Sequence, residues 1–186
     1  MTDVLEEKIQ RRAYELWERG GRSGNAEEYW FQAEVELKRG SSPGGKGKYS
    51  GQCFCGAVEL VATGDPLTMG YCHCTSCRRW SASPVNAFTI WIPEAVRITK
   101  GPENVRSFQK TKKTVRKWCQ ACGGHLLIEH PLWLVTEVPT AVLPNVPFKP
   151  AVHLNYAETV LHIRDGLPKH RDFRAELGGS GELLDE

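Results

Sequence analysis

Seven cysteines in a chain of 186 residues fall into three short clusters: Cys53-Phe54-Cys55, Cys72-His73-Cys74-Thr75-Ser76-Cys77 and Cys119-Gln120-Ala121-Cys122. This spacing constrains the fold more than any other feature, because side chains so close in sequence meet on one ion only where the chain turns tightly. Structural zinc closes a tetrahedron with four N or S ligands, whereas catalytic zinc keeps three and leaves one position open. The pairs at 53/55 and 119/122 are far apart in sequence, so their convergence closes a four-sulfur site in the manner of zinc ribbons. The C-x-C-x2-C run at Cys72, Cys74 and Cys77 is left over and supplies no fourth cysteine.

The competing reading is three disulfides with one spare thiol, which requires an oxidising compartment. The start Met1-Thr2-Asp3-Val4-Leu5-Glu6-Glu7-Lys8 lacks the basic-then-apolar pattern of a secretory signal, so a cytoplasmic location with reduced thiols is the expectation. No apolar run approaches the length of about 18 residues that suggests a membrane span. With 24 Lys and Arg against 22 Asp and Glu, no global field points to nucleic acid or to an anionic membrane. The local exception is Arg106 to Lys117, with Arg106, Lys110, Lys112, Lys113, Arg116 and Lys117 and no acidic residue. It reads as a solvated strand face or as a basic rim beside the metal that attracts an anionic small molecule.

Residues 1–39 read as a helical hairpin. Leu5, Ile9, Ala13, Leu16 and Trp17 recur at helical steps, Gly20-Gly21 ends that run, and Ala26, Trp30, Ala33 and Leu37 form a second stripe behind a cap at Asn25. Residues 40–48, rich in Gly, Ser and Pro, are expected as a flexible linker. From 49 to 177 the pattern changes to short alternating segments, among them 58–62, 87–92, 96–99, 105–108, 114–118 and 126–128, with 152–156 a further candidate. They indicate a mainly β fold of small antiparallel sheets. Residues 178–186 are expected as a tail.

The segments Gly51-Gln52-Cys53-Phe54-Cys55-Gly56-Ala57-Val58, Cys72-His73-Cys74-Thr75-Ser76-Cys77-Arg78-Arg79 and Cys119-Gln120-Ala121-Cys122-Gly123, in this order, resemble the glutathione-dependent formaldehyde-activating enzyme family, which also includes centromere protein V. Asp165-Gly166-Leu167-Pro168 and Asp172-Phe173 resemble it too. The hairpin resembles a small bacterial domain of unknown function through Arg11-Arg12-Ala13-Tyr14-Glu15-Leu16-Trp17-Glu18 and Tyr29-Trp30-Phe31-Gln32-Ala33-Glu34.

The first resemblance implies an Mss4-like, or beta-tent, fold. It implies a structural zinc on Cys53, Cys55, Cys119 and Cys122, and a catalytic zinc on Cys72, Cys74 and Cys77. It also implies carbon-sulfur lyase chemistry, in which formaldehyde and the thiol of glutathione combine reversibly to S-hydroxymethylglutathione. A small, glutathione-like thiol is the expected partner. A non-catalytic zinc-containing module that binds thiols or proteins is the alternative. His73 reads as a hydrogen-bonding residue behind the ligands, with direct ligation or proton transfer as the other roles. Arg78 and Arg79 read equally as structural groups or as forks for substrate carboxylates. Trp80, Trp91, Trp118 and Trp133 read as core or pocket wall, and His125 as a packed residue.

Overall fold

The computed structural model describes residues 2–41 and 47–185. Helix α1 (Thr2–Arg19) and helix α2 (Ala26–Ser41) form the expected hairpin, closed by Ile9, Ala13 and Ala33 with Leu16, Tyr29, Trp30 and Leu37 around them. Among the described side chains these three buried ones make a small core, so the hairpin leans on the rest of the chain. Gln32 Nε2 donates to the Leu132 carbonyl at 3.1 Å, and the Phe31 ring meets Trp133 edge-on with centroids 6.1 Å apart. Residues 42–46 of the expected linker lie outside the described residues. Its first two residues, Gly40 and Ser41, belong to α2, and its last, Lys48, begins a strand.

The remainder is mainly β, as the segment pattern implies. Strands β1 (Lys48–Gln52), β2 (Glu59–Thr63) and β5 (Val96–Lys100) form a three-stranded sheet in the order β1-β2-β5. The larger sheet holds β3 (Thr68–Cys72), β4 (Asn86–Trp91), β6 (Val105–Thr111), β7 (Thr114–Cys119), β8 (His125–His130), β9 (Val135–Pro139) and β10 (His153–Leu154). Their order is β10-β3-β4-β9-β8-β7-β6. All pairs are antiparallel except β10 with β3, which is parallel and departs from the purely antiparallel expectation. Helix α3 (Thr75–Ser81) interrupts the strands, beginning just after the second cysteine of the middle cluster and containing the third.

Successive residues of a strand point to opposite faces, and this sorts the large sheet into two buried surfaces. Trp91 and Val138 face the small sheet, where they pack with Leu60, Ala62 and Leu143. The Trp91 indole N–H donates to Thr89 Oγ1 at 2.7 Å, and that hydroxyl donates to the Val138 carbonyl at 2.9 Å, so no polar atom of this pair is stranded. On the other face the register sets Ile90 beside Glu137, Glu137 beside Ile128 and Ile128 beside Arg116. That row lies under α2 and the C-terminal segment. The expected tail is tied down as far as Leu184: Arg171 N–H donates to the Glu182 carbonyl at 2.9 Å and Leu184 N–H to the Lys169 carbonyl at 2.8 Å. Among the described residues no helix is long and apolar enough to cross a membrane.

Candidate metal centres and the adjoining cavity

The fold brings the seven cysteines into two groups, Cys53, Cys55, Cys119 and Cys122 in one, Cys72, Cys74 and Cys77 in the other, and within each the sulfurs all lie within 4.8 Å of one another. All seven are free thiols rather than disulfides.

In the first group Cys53 and Cys119 are buried, and Cys53 Sγ lies 3.7 Å from Cys55 Sγ. Four sulfurs at about 2.3 Å from one ion stand about 3.8 Å apart in a tetrahedron, so this pair is already spaced for zinc. Both turns aim amides at sulfur: Val58 N–H donates to Cys53 Sγ at 3.3 Å and Gly124 N–H to Cys122 Sγ at 3.4 Å. The second turn needs its glycines. Gly123 has φ of +71°, and a Cβ on Gly124 would stand 3.0 Å from the Phe54 nitrogen and 3.2 Å from the Cys122 sulfur. The Gly124 amide, followed by that of Cys55, draws the Cys122 thiol down to about 6.

The second group sits where β3 runs into α3. Cys72 ends β3, Cys74 caps α3 and Cys77 lies in its first turn, with its N–H donating to Cys74 Sγ at 3.3 Å. Asn155 Nδ2 donates to Cys72 Sγ at 3.6 Å. Three sulfurs in one small space cannot all ionise against water alone. Cys72, then Cys77, draws Cys74 down to about 2, while Cys72 is pushed up to about 12 chiefly by Cys74, and Cys77 is raised by Cys72 and Cys74. A divalent cation replaces the shared protons of such a set, and both donor sets fit zinc by softness, number and spacing.

His73 is not a ligand candidate. Its Nε2 lies 2.8 Å from His153 Nδ1 and its Nδ1 2.9 Å from Thr159 Oγ1, which occupies both ring nitrogens. His153 Nε2 meets Asp165 Oδ2 at 3.0 Å, and Asp165 Oδ1 meets the ammonium of Lys169, which is 2% exposed. Burial, followed by His153, holds the His73 imidazole down to about 4, so this network runs neutral at His73. It fixes the residue between two sulfurs from behind. Arg78 serves the same turn: its Nε donates to the His73 carbonyl at 2.9 Å and a terminal nitrogen to Thr75 Oγ1 at 3.2 Å, whereas Arg79 is exposed. Of the other sequence candidates, Trp91 is core, Trp133 lines the cavity, and His125 stacks on Trp80 at 4.3 Å while Trp118 meets the same indole edge-on at 5.8 Å.

A cavity of about 320 Å³ is lined by Cys72, Cys74 and Cys77 and by none of the other four cysteines. Phe88, Ile90, Ile128, Val135, Val152 and Leu154 form its sheet wall. Glu137, 6% exposed, accepts from Asn86 Nδ2 at 2.9 Å and meets His130 Nε2 at 3.3 Å. Arg116, 7% exposed, reaches Ser76 Oγ at 3.1 Å, between the second and third sulfurs, and its Nε has no protein partner. The basic stretch therefore divides: Arg106, Lys110, Lys112 and Lys113 are exposed, whereas Arg116 points inward beside the cluster. Sequence reasoning missed Glu137, His130 and Asn86. The one signal was a lone acid at an inward register in Val135-Thr136-Glu137-Val138, a strand not recognised beforehand.

The family model for the glutathione-dependent formaldehyde-activating enzyme matches residues 48–158. The chain belongs to this family. A second model, that of a protein family of unknown function, DUF2934, matches residues 4–39. An uncharacterized lyase of Schizosaccharomyces pombe is 33% identical over 79 residues, 42% of this chain and 56% of that protein, so the chain spans little more than half the length of this curated relative. A crystal structure of a Rhodobacter sphaeroides protein is similar at 24% identity with a TM-score of 0.45, over 52% of this chain and 89% of that one.

Proposed function

We propose that the chain is a carbon-sulfur lyase that makes and breaks the adduct of a thiol and an aldehyde, with one structural zinc on Cys53, Cys55, Cys119 and Cys122 and one reactive zinc on Cys72, Cys74 and Cys77. The observation that carries this reading is the unequal placement of the two groups: the three-sulfur group lines the cavity of about 320 Å³, to which the four-sulfur group contributes no residue. Family membership and the lyase relative support it.

A zinc ion held by three thiolates supplies a soft cationic position for a fourth sulfur. The protein's own groups handle the rest of the reaction. In the cleavage direction the carbon-sulfur bond breaks with its electrons passing to sulfur, the hydroxyl of the adduct loses its proton as the carbonyl forms, and the thiol takes up a proton. No electrons are gained or lost overall. Glu137 is the group in the cavity that accepts the hydroxyl proton, since a carboxylate keeps lone pairs beyond those engaged by Asn86 and His130. Arg116, with an N–H left over beside Ser76, donates to the oxygen as its charge grows. The apolar wall excludes water, which strengthens both contacts.

Adduct exchange between a thiol and an aldehyde, followed by two-dimensional exchange NMR, tests the proposal. Catalysed exchange that disappears in Cys74→Ser supports it. Protein that carries both zinc ions yet accelerates no member of a thiol and aldehyde panel would overturn it in favour of a binding module.

A further inference from the structure

The cavity that the three sulfurs line is completed by parts of the chain outside the cysteine-bearing turns. Phe31 of α2 borders it, as do Trp133 from the loop between β8 and β9, and Phe173 and Leu177 from the C-terminal segment. These are not separate visitors. Phe31 meets Trp133 edge-on at 6.1 Å, Trp133 meets Phe173 edge-on at 5.8 Å, and His130 stacks on Trp133 at 5.4 Å. The hairpin, the sheet and the C-terminal segment thus share one aromatic row against one cavity.

What that cavity can hold follows from its inventory. From the sheet Phe88, Ile90, Ile128, Val135 and Leu154 line it as an apolar wall, with Thr68, Thr111 and Thr114 also at its border. Its buried polar groups are largely committed to one another, Glu137 to Asn86 and His130, and Arg116 to Ser76. Among the described residues that line the cavity, two buried atoms have no protein partner, Arg116 Nε and His130 Nδ1. Two orphan atoms suit one oxygen-bearing centre. They do not suit a tripeptide such as glutathione, whose two carboxylates, ammonium and amides each need a partner when buried. Half-buried Glu34 and exposed Lys113 and Arg174 also border the cavity, the two cations at the solvent side, where a charged group stays hydrated.

Resting on the lyase reading above, we infer that the substrate is an adduct with an apolar substituent, alkyl or aryl, and that Phe31 of the N-terminal hairpin is a specificity-determining residue for it. The substituent occupies the apolar part of the cavity beside Phe31, Trp133 and Leu177, while the single oxygen meets Arg116. The hairpin is then part of the binding site. A separate module tethered by a linker would not contribute a wall.

The test uses the full-length, zinc-loaded protein and reads binding apart from turnover. By titration calorimetry benzyl mercaptan should bind at least about tenfold tighter than glutathione, and Phe31→Ala should erase about tenfold of that preference by removing a half-buried ring from the cavity wall. Leu177→Ala, which thins the same cavity from a different element, provides the second variant should Phe31→Ala fail to fold. Exchange NMR with benzyl mercaptan and formaldehyde, against glutathione and benzaldehyde, tells whether the apolar group sits on sulfur or on carbon. Tighter binding of glutathione than of the apolar thiol, or folded variants with unaltered preference, overturns the inference. Acceleration confined to glutathione and formaldehyde would leave the lyase reading standing without it. Tight, Phe31-dependent binding of the apolar thiol with no exchange in any pair would instead remove the lyase reading and keep the pocket assignment.

Discussion

Asp165→Asn probes the buried network behind the three-sulfur group. In the native protein Asp165 Oδ1 lies 3.1 Å from Lys169 Nζ, and the two side chains are 28% and 1% exposed. Asp165 Oδ2 lies 3.0 Å from His153 Nε2, the ring that holds His73. The substitution keeps the shape and removes the charge, so the Lys169 ammonium stays buried with less to answer it. At a separation of about 4 Å and an effective dielectric near 20, the lost attraction is about 4 kcal/mol, and breaking a buried pair typically costs about 3 to 5 kcal/mol. Two features reduce this. Asp165 is partly solvated, and Lys169 retains the Leu167 carbonyl at 3.2 Å and the Tyr156 ring at 5.5 Å. The expected loss at neutral pH is therefore about 2 to 3 kcal/mol, which for a chain of this size lowers the melting temperature by about 5 to 10 °C.

The pH dependence follows with a definite sign. Burial acts to raise the Asp165 carboxyl, but the bonds from His153, Leu167 N–H and Lys169 outweigh it and hold the group down to about 2 in the folded protein, against 3.8 ordinarily. A depressed carboxyl contributes its stability in full above its unfolded value and loses it as pH falls through the folded one. The gap between native and variant protein should hold from neutrality to about pH 4 and close below it. Urea melts of both proteins at pH 7 and across the acid range measure this. A neutral-pH difference below about 0.5 kcal/mol, the level of an ordinary surface change, would refute the argument that Lys169 depends on this carboxylate.

Cys119→Ser should leave the chain unfolded or insoluble, because a hydroxyl does not replace a buried thiolate and structural zinc contributes on the order of 10 kcal/mol to folding; unaltered melting and metal content in the variant would contradict the four-sulfur assignment. Cys74→Ser should keep the native circular dichroism while zinc per chain falls from about two to about one, on the four-plus-three division of ligands. Arg116→Met should lower the turnover number for adduct exchange by about a hundredfold, with the Michaelis constant little changed, as expected for a donor that acts on developing charge. Partial recovery in Arg116→Lys would mark the contribution as charge rather than packing.

The cysteine grouping was legible without coordinates, because a four-ligand site and a three-ligand remainder follow from valence and spacing, and cluster order carries the family. The amphipathic hairpin was legible for a similar reason: its periodicity is local, and Ile9, Ala13 and Ala33 bury where the stripe places them. Strands β1, β3 and β9 were not, since polar or glycine-bearing runs such as Thr68-Met69-Gly70-Tyr71-Cys72 become strands through the partners they meet rather than by preference of their own. Gly70 shows the dependence: a Cβ there would lie 2.4 Å from the Val152 carbonyl of the chain approaching from β10.

Everything around the open cysteine group belongs to that second category. No sequence pattern joins Phe31 to Trp133 and Phe173, or Arg116 to Ser76, since these contacts cross distances in the chain that only closure of the large sheet bridges. Which cysteines could share an ion is a property of short segments and could be read from them. The contents of the cavity are a property of which faces meet, and tertiary packing alone decided that Glu137 and Arg116 turn to the cavity while Val138, next to Glu137, turns to the core under the small sheet.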